Sequence, residues 1–172
     1  AKTSRRIQNE VGDILAISET GSPPDEMIPR QKSYPDMTEG EAENMAAGFR
    51  HFNRDQWEAA LPFYRNVLQA DPRNEEALTK LAACLRELER FQEDREILRR
   101  LLSLDPRDPD VYVELGNSFR NQQAWEAAEV FYRKALELRP DLARAYLEWA
   151  KSYKMQGENE NAIRFFLKAI EF

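Results

Sequence analysis

One cysteine and one histidine stand in 172 residues. A single Cys excludes an internal disulfide, and one of each excludes a thiolate–imidazole zinc site. No run of about 18 apolar residues occurs, which excludes a membrane-spanning helix. Behind Ala1-Lys2-Thr3-Ser4-Arg5-Arg6 there is no apolar stretch of the signal-peptide kind. Positive charge is also in deficit: 25 Lys and Arg against 31 Asp and Glu leave a net charge of −6. That argues against a nucleic-acid partner held by bulk positive charge. The chain has no Gly-rich phosphate loop and no cluster of residues at metal-ligand spacing, so no cofactor is expected. The scarcity of thiols fits the cytoplasm or another intracellular compartment, which is the expected location.

What remains is 33% charged and 42% hydrophobic, with only six Gly. Ala, Leu, Glu and Arg abound, a helical composition. Two zones differ in texture. Residues 1–40 read as an N-terminal arm. Within it Ile7, Val11, Ile14 and Leu15 fall at i, i+4, i+7 and i+8, which predicts a short amphipathic helix over about 4–17. Thr3 or Ser4 can cap it, and Gly12 weakens it by roughly 1 kcal/mol. So short a helix is marginal alone, so its apolar face needs a surface. Residues 18–40 hold Pro23, Pro24, Pro29 and Pro35 and read as a flexible linker.

Residues 41–172 carry an internal repeat. Pro72, Pro106 and Pro140 stand 34 residues apart. So do the small residues Gly48, Ala82, Gly116 and Ala150. Leu68, Leu102, Leu136 and Ile170 keep the same step, as do Tyr64, Leu98, Tyr132 and Phe166. The period divides the zone into units 41–74, 75–108, 109–142 and 143–172. Each reads as two helices and a turn. In the third, Tyr112, Leu115, Gly116 and Phe119 make one helical face; Ala128, Phe131, Tyr132 and Ala135 answer it. Gly116 and Ala128 are small where the axes must approach to 8–10 Å. A lone hairpin cannot bury its apolar face, so the units must stack.

These columns resemble the tetratricopeptide repeat (TPR) family over about residues 41–172. The third unit carries the resemblance best, with Tyr112, Leu115, Gly116, Phe119, Ala128, Tyr132, Ala135 and Pro140. The resemblance implies an all-α, right-handed α-solenoid of four helical hairpins behind the flexible arm. Asp94 departs from it, standing where the family has a small residue. A buried lone carboxylate is costly, so Asp94 is expected to pair with Arg95 or Arg86, or to be partly solvated. The last unit ends at Phe172 inside its final turn, leaving Phe166, Ile170 and Phe172 with nothing after them. That suggests a solenoid truncated at its C-terminus, or an edge that pairs with another chain.

The resemblance also implies a concave face lined by fixed positions of each first helix. In this sequence they are Ala42, Met45, Phe49, Phe52 and Asn53; Glu76, Thr79, Ala83, Arg86 and Glu87; Asp110, Val113, Asn117, Arg120 and Asn121; Arg144, Leu147, Lys151, Lys154 and Met155. Two features stand out. Met45, Phe49 and Phe52 make an apolar patch, which the N-terminal helix is one candidate to cover. Arg86, Arg120 and Lys154 form a basic ladder at 34-residue steps, joined by Asn117 and Lys151. Arg can grip carboxylates and Asn a peptide backbone, so an acidic or amphipathic segment is the expected ligand. One subset of the family holds chaperone C-terminal carboxylates with Lys and Asn at set positions. Here those positions carry Met45 and Phe49, Thr79 and Ala83, then Val113 and Asn117; one unit along they carry Thr79 and Ala83, Val113 and Asn117, then Leu147 and Lys151, and neither register supplies that clamp.

Nothing in the sequence assembles an active site. His51 is read as a surface or groove residue, and Cys84 as a small buried thiol. The expectation is a non-catalytic scaffold or adaptor that binds a protein or peptide. Neither nucleic acid nor membrane is an expected partner; self-association through residues 1–17 or the C-terminal edge is a further expected contact. Two other readings stand beside it: a secretion-type chaperone of the same family, or a substrate-selecting or regulatory domain of a larger enzyme.

Overall fold

Each apolar periodic stretch becomes a helix in the computed structural model, which describes residues 2–19 and 37–172. Helix α1 spans Lys2–Glu19. Then follow α2 (Glu39–Phe52), α3 (Trp57–Ala70), α4 (Glu75–Glu87), α5 (Phe91–Leu104), α6 (Pro109–Asn121), α7 (Trp125–Leu138), α8 (Ala143–Met155) and α9 (Asn159–Glu171). No strand occurs among the described residues. Most of the segment expected as a linker lies outside the described residues. Two compact units are present. One holds α2 to α5; the other holds α1 with α6 to α9.

Helices pair as hairpins, a first or A helix (α2, α4, α6, α8) with a second or B helix (α3, α5, α7, α9). Local chemistry sets their starts. Thr38 opens α2 with a capping box: its Oγ1 accepts from Glu41 N–H at 3.3 Å, and Glu41 Oε2 accepts from Thr38 N–H at 2.6 Å. The buried Asn74 caps α4 through Ala77 N–H at 2.8 Å. Asp108 caps α6, and Pro109 occupies its first turn, where no N–H is needed.

The A-to-B turns share one geometry. The residue before each B-helix cap has positive φ: Asp55 (56°), Glu89 (58°), Gln123 (59°) and Gly157 (79°). The next N–H donates back across the turn, Gln56 to His51 O at 3.0 Å and Arg90 to Leu85 O at 2.8 Å. Ala124 does the same to Phe119 O at 2.9 Å, and Glu158 to Tyr153 O at 2.9 Å. A left-handed residue closing the A helix reverses the chain within three residues.

Inside each hairpin the small and large columns interlock. Gly48 lies under the Tyr64 ring and Gly116 under Tyr132, where a Cβ would clash. Tyr64, Leu98, Tyr112, Phe119, Phe131 and Tyr132 are all fully buried. Rings fill the α6–α9 core: Phe119 stacks on Phe131 at 5.3 Å, and Trp149 meets Phe165 at 4.6 Å and Tyr132 at 6.1 Å. Asp94 corrects an expectation: it is not partly solvated but 0% exposed, with the neighbouring Arg95 at 1%. The α4–α5 hairpin thus encloses a carboxylate where the other three units carry Ala60, Ala128 and Ala162.

The amphipathic arm helix is real and longer than its apolar core suggests. Ile14 is fully enclosed; Ile7, Val11 and Leu15 are half-buried, while Arg5, Arg6, Asn9 and Asp13 face solvent. It seats on α7, a B helix, rather than on an A-helix face.

Candidate protein-binding faces

In the unit of α6 to α9, the A helices α6 and α8 lie side by side and are laced by charge. Arg144 on α8 reaches Asp110 at 3.1 Å and also bonds Glu114, both on α6. Arg139 adds a contact to Asp110 at 3.5 Å. Across the same seam Arg120 Nη1 donates to Glu148 Oε2 at 2.6 Å, and Lys151 Nζ donates to Glu148 Oε1 at 2.6 Å. The side chains of Arg120 and Glu148 are each only 13% exposed. Burial alone would raise the Glu148 carboxyl, yet the hydrogen bonds from Lys151 and Arg120 outweigh it and hold the group below the usual carboxylate range.

Asn117 is buried as well. Its Oδ1 accepts from the Tyr132 hydroxyl at 2.9 Å, so the amide braces the hairpin. What this face offers to solvent is narrower than the sequence suggests. Lys154 is exposed, and with it Leu147 at 37% and Met155 at 57%. Leu147, Lys151 and Met155 are four residues apart on α8, so they form one stripe along it.

The other unit presents α2 and α4. Met45 is 0% exposed and belongs to the hairpin interior. Phe49 sets its edge to Tyr64 at 6.1 Å, and Phe52 sets its edge to Trp57 at 5.0 Å. The Lys80 ammonium from α4 lies over both rings, 4.6 Å from Phe52 and 5.3 Å from Phe49. The expected apolar patch is therefore two half-buried rings roofed by a cation. Arg86 is half-buried on α4. The structure thus brings Arg120 and Lys151 together on one carboxylate and sets Lys154 beside them on α8. Arg86, Met45, Phe49 and Phe52 belong to the other unit.

Two residues escaped the sequence reading, Glu148 and Lys80. The step from Glu148 to Lys151 is a helical i, i+3 pair and was visible; its reach to Arg120 needs the packed seam. Of the two residues weighed for chemistry, His51 stacks on Phe63 at 5.3 Å and bonds Gln56 Oε1 at 2.8 Å. Cys84 is fully enclosed, and burial pushes its thiol up to about 11, away from thiolate reactivity. Among the described residues no cluster of His, Cys, Asp and Glu could hold a metal ion. No helix among them is long and apolar enough to cross a membrane.

Comparison with known proteins agrees with the repeat. Tetratricopeptide repeat models match residues 52–115, 116–157 and 143–172. No curated protein matches the sequence. Among solved structures, a crystal structure of MamA aligns with TM-score 0.62 and 18% identity, over 99% of this chain and 90% of that one. MamA 41-end from Desulfovibrio magneticus RS-1 aligns with TM-score 0.63 and 18% identity, over 99% and 95%. The first TPR of Spaghetti (RPAP3), bound to the HSP90 peptide SRMEEVD, aligns with TM-score 0.59 and 21% identity, over 70% and 96%. At these identities the likeness speaks to the fold. With the 34-residue columns, the hairpins and three family matches over residues 52–172, the chain belongs to the tetratricopeptide repeat family.

Proposed function

We propose that this chain is a non-catalytic protein-binding scaffold, and that the α6–α8 face takes an amphipathic segment. The observation that carries the reading is the stripe on α8. Leu147 and Met155 are exposed apolar side chains, with Lys151 between them and Lys154 beside Met155. Apart from Lys154, the cations named on that face already have carboxylate partners. A ligand rich in acid would have to displace Glu148, Asp110 and Glu114. A segment with two apolar anchors and one carboxylate near Lys154 fits without displacing any of them. Apolar anchors in shallow pockets with a polar rim are the usual basis of peptide recognition in grooves. Solved TPR neighbours include one bound to a peptide, which supports the general role.

The test is selection from a random peptide library displayed on phage, followed by binding to variants. Selected peptides should be amphipathic with a single acidic position. Leu147→Glu with Met155→Glu should weaken them at least tenfold, and Lys154→Glu by less. If the selected peptides bind the double variant as tightly as the parent, the α8 stripe is not the site.

A further inference from the structure

Helix α1 is remote in sequence from everything it packs on. Residues 20–104 intervene before the rest of its unit begins at Asp105. Its seat is nonetheless a repeat-type face. Ile7 and Val11 line one groove with Ala127 and Val130 on α7 and with the turn Gln122–Gln123–Ala124. The α7 residues have counterparts 34 positions earlier, Glu93 and Glu96 on α5. In the other unit those two line the cleft between α5 and the preceding B helix α3, facing Arg65, Leu68 and Gln69. Helix α1 thus borders α7 at the repeat positions where α5 faces its own cleft. The seat has changed to match: two glutamates of α5 are replaced by Ala and Val, which suit Ile7 and Val11.

The attachment is slight. Only Ile14 is fully enclosed, and Ile7, Val11 and Leu15 stay half-buried. A groove of about 670 Å³ remains beside α1, with Gln8 and Gln123 on its rim. When α1 leaves, both its apolar face and the Ala127–Val130 face go into water, so each is driven to recover a partner of the same shape. The helix shown to fit this seat is α1 itself, and a second molecule carries an identical one.

We infer that the α1 seat on α7 is a helix-exchange site, where α1 of a second copy of this chain replaces the chain's own. The contact is then a reciprocal swap, with each copy lending α1 to the other. It rests on the α7 face and is independent of the α8 stripe.

Two measurements on the full chain test this. In the first, a fluorescein-labelled peptide of residues 2–19 is titrated into the parent and into Ile14→Asp, whose own α1 no longer fits. The peptide should bind Ile14→Asp at least tenfold more tightly than the parent, and a peptide carrying the same substitution should not bind. An Ile14→Asp chain of parental helicity that ignores the peptide overturns the proposal. The second measurement covers a poorly folded Ile14→Asp. Gln8→Cys and Gln123→Cys are made in separate chains, with Cys84→Ala in both, then mixed and treated with a short bis-maleimide. Cross-linked pairs joining one variant to the other are expected, and Val11→Asp in the Gln8→Cys chain should remove them. Recovery of chains without mixed cross-links, or of mixed pairs that Val11→Asp leaves in place, would overturn the exchange.

Discussion

Gly116→Ala tests the hairpin geometry at its tightest point. A Cβ there would lie 2.4 Å from Tyr132 Cε1, 2.7 Å from Cδ1 and 2.9 Å from Cζ. To reach ordinary contact the ring must retreat about 1 Å. It has little room to do so. Tyr132 is fully buried, stacks on Trp149, and donates its hydroxyl to Asn117 at 2.9 Å. Overpacking of this kind costs roughly 1–3 kcal/mol, and the confined ring puts it near ~3. Replacing Gly by Ala inside a helix returns about 1 kcal/mol. The net expectation is a loss of about 2 kcal/mol. In a unit of this size that is roughly 8–16 °C of melting temperature.

Two internal comparisons sharpen the test. At Gly48 the added Cβ would stand 2.7 Å from Tyr64, whose buried hydroxyl has no hydrogen-bond partner in the structure. That ring gives way more cheaply, so Gly48→Ala should cost about half as much, on the order of 1 kcal/mol. The other two units already pair Ala with a differently shaped residue, Ala82 with Leu98 and Ala150 with Phe166. Gly116→Ala with Tyr132→Leu copies the first of these pairs. The double-mutant cycle should show about 3 kcal/mol of favourable coupling, the whole overpacking cost. Urea unfolding followed by tryptophan fluorescence in a Trp57→Phe background reads the unit that holds Trp125 and Trp149. A neutral or stabilising Gly116→Ala, or zero coupling, would refute the argument.

The turns give a second prediction: Glu89→Gly should raise stability by roughly 0.5–1 kcal/mol, because an exposed Glu held at φ 58° carries left-handed strain that Gly does not. Asp55→Gly should gain less, since Asp tolerates that region better, and Gly157→Ala should lose about 1 kcal/mol; chemical denaturation ranks all three. The third concerns acid. The carboxyl of Glu148 is held below its ordinary value of 4.5, so its contribution is complete above that pH and is lost as pH falls through the lower folded value. Glu148→Gln should cost roughly 1–3 kcal/mol at pH 7 and flatten the acid limb of the stability profile. An unchanged acid limb would show that the Arg120–Glu148–Lys151 cluster contributes nothing to folding.

The hairpins were legible because their interior obeys a local rule. Gly or Ala must face the 24th residue of each unit, and a Pro must end most B helices, so 34-residue columns survive in one sequence. The N-terminal helix was legible for the same kind of reason, as Ile7, Val11, Ile14 and Leu15 mark one face. Its seat was not. The Met45–Phe49–Phe52 group looked like the surface it needed, but Met45 is 0% exposed and Lys80 roofs the two rings. The real seat, Ala127 and Val130, reads in sequence as two ordinary helix residues. It becomes conspicuous only when set against Glu93 and Glu96, its counterparts on α5.

Charge was the least legible layer, and the reason is geometric. Arg86, Arg120 and Lys154 share a column, and a column of cations on A helices suggests a ladder. A repeat places column members on one helix face, but it does not say what the neighbouring helix sends across. The partners of Arg120 and Arg144 come from 28, 30 and 34 residues away, steps set by the stacking of α8 on α6. Each such partner subtracts a cation from the ligand's side of the ledger. An Arg 13% exposed on a Glu 13% exposed is part of the wall, whatever its column. The period therefore tells which residues line a TPR face, while the cross-helix carboxylates decide which of them can still bind. By that criterion the α8 stripe of Leu147, Lys154 and Met155 outranks the basic ladder as the proposed docking face.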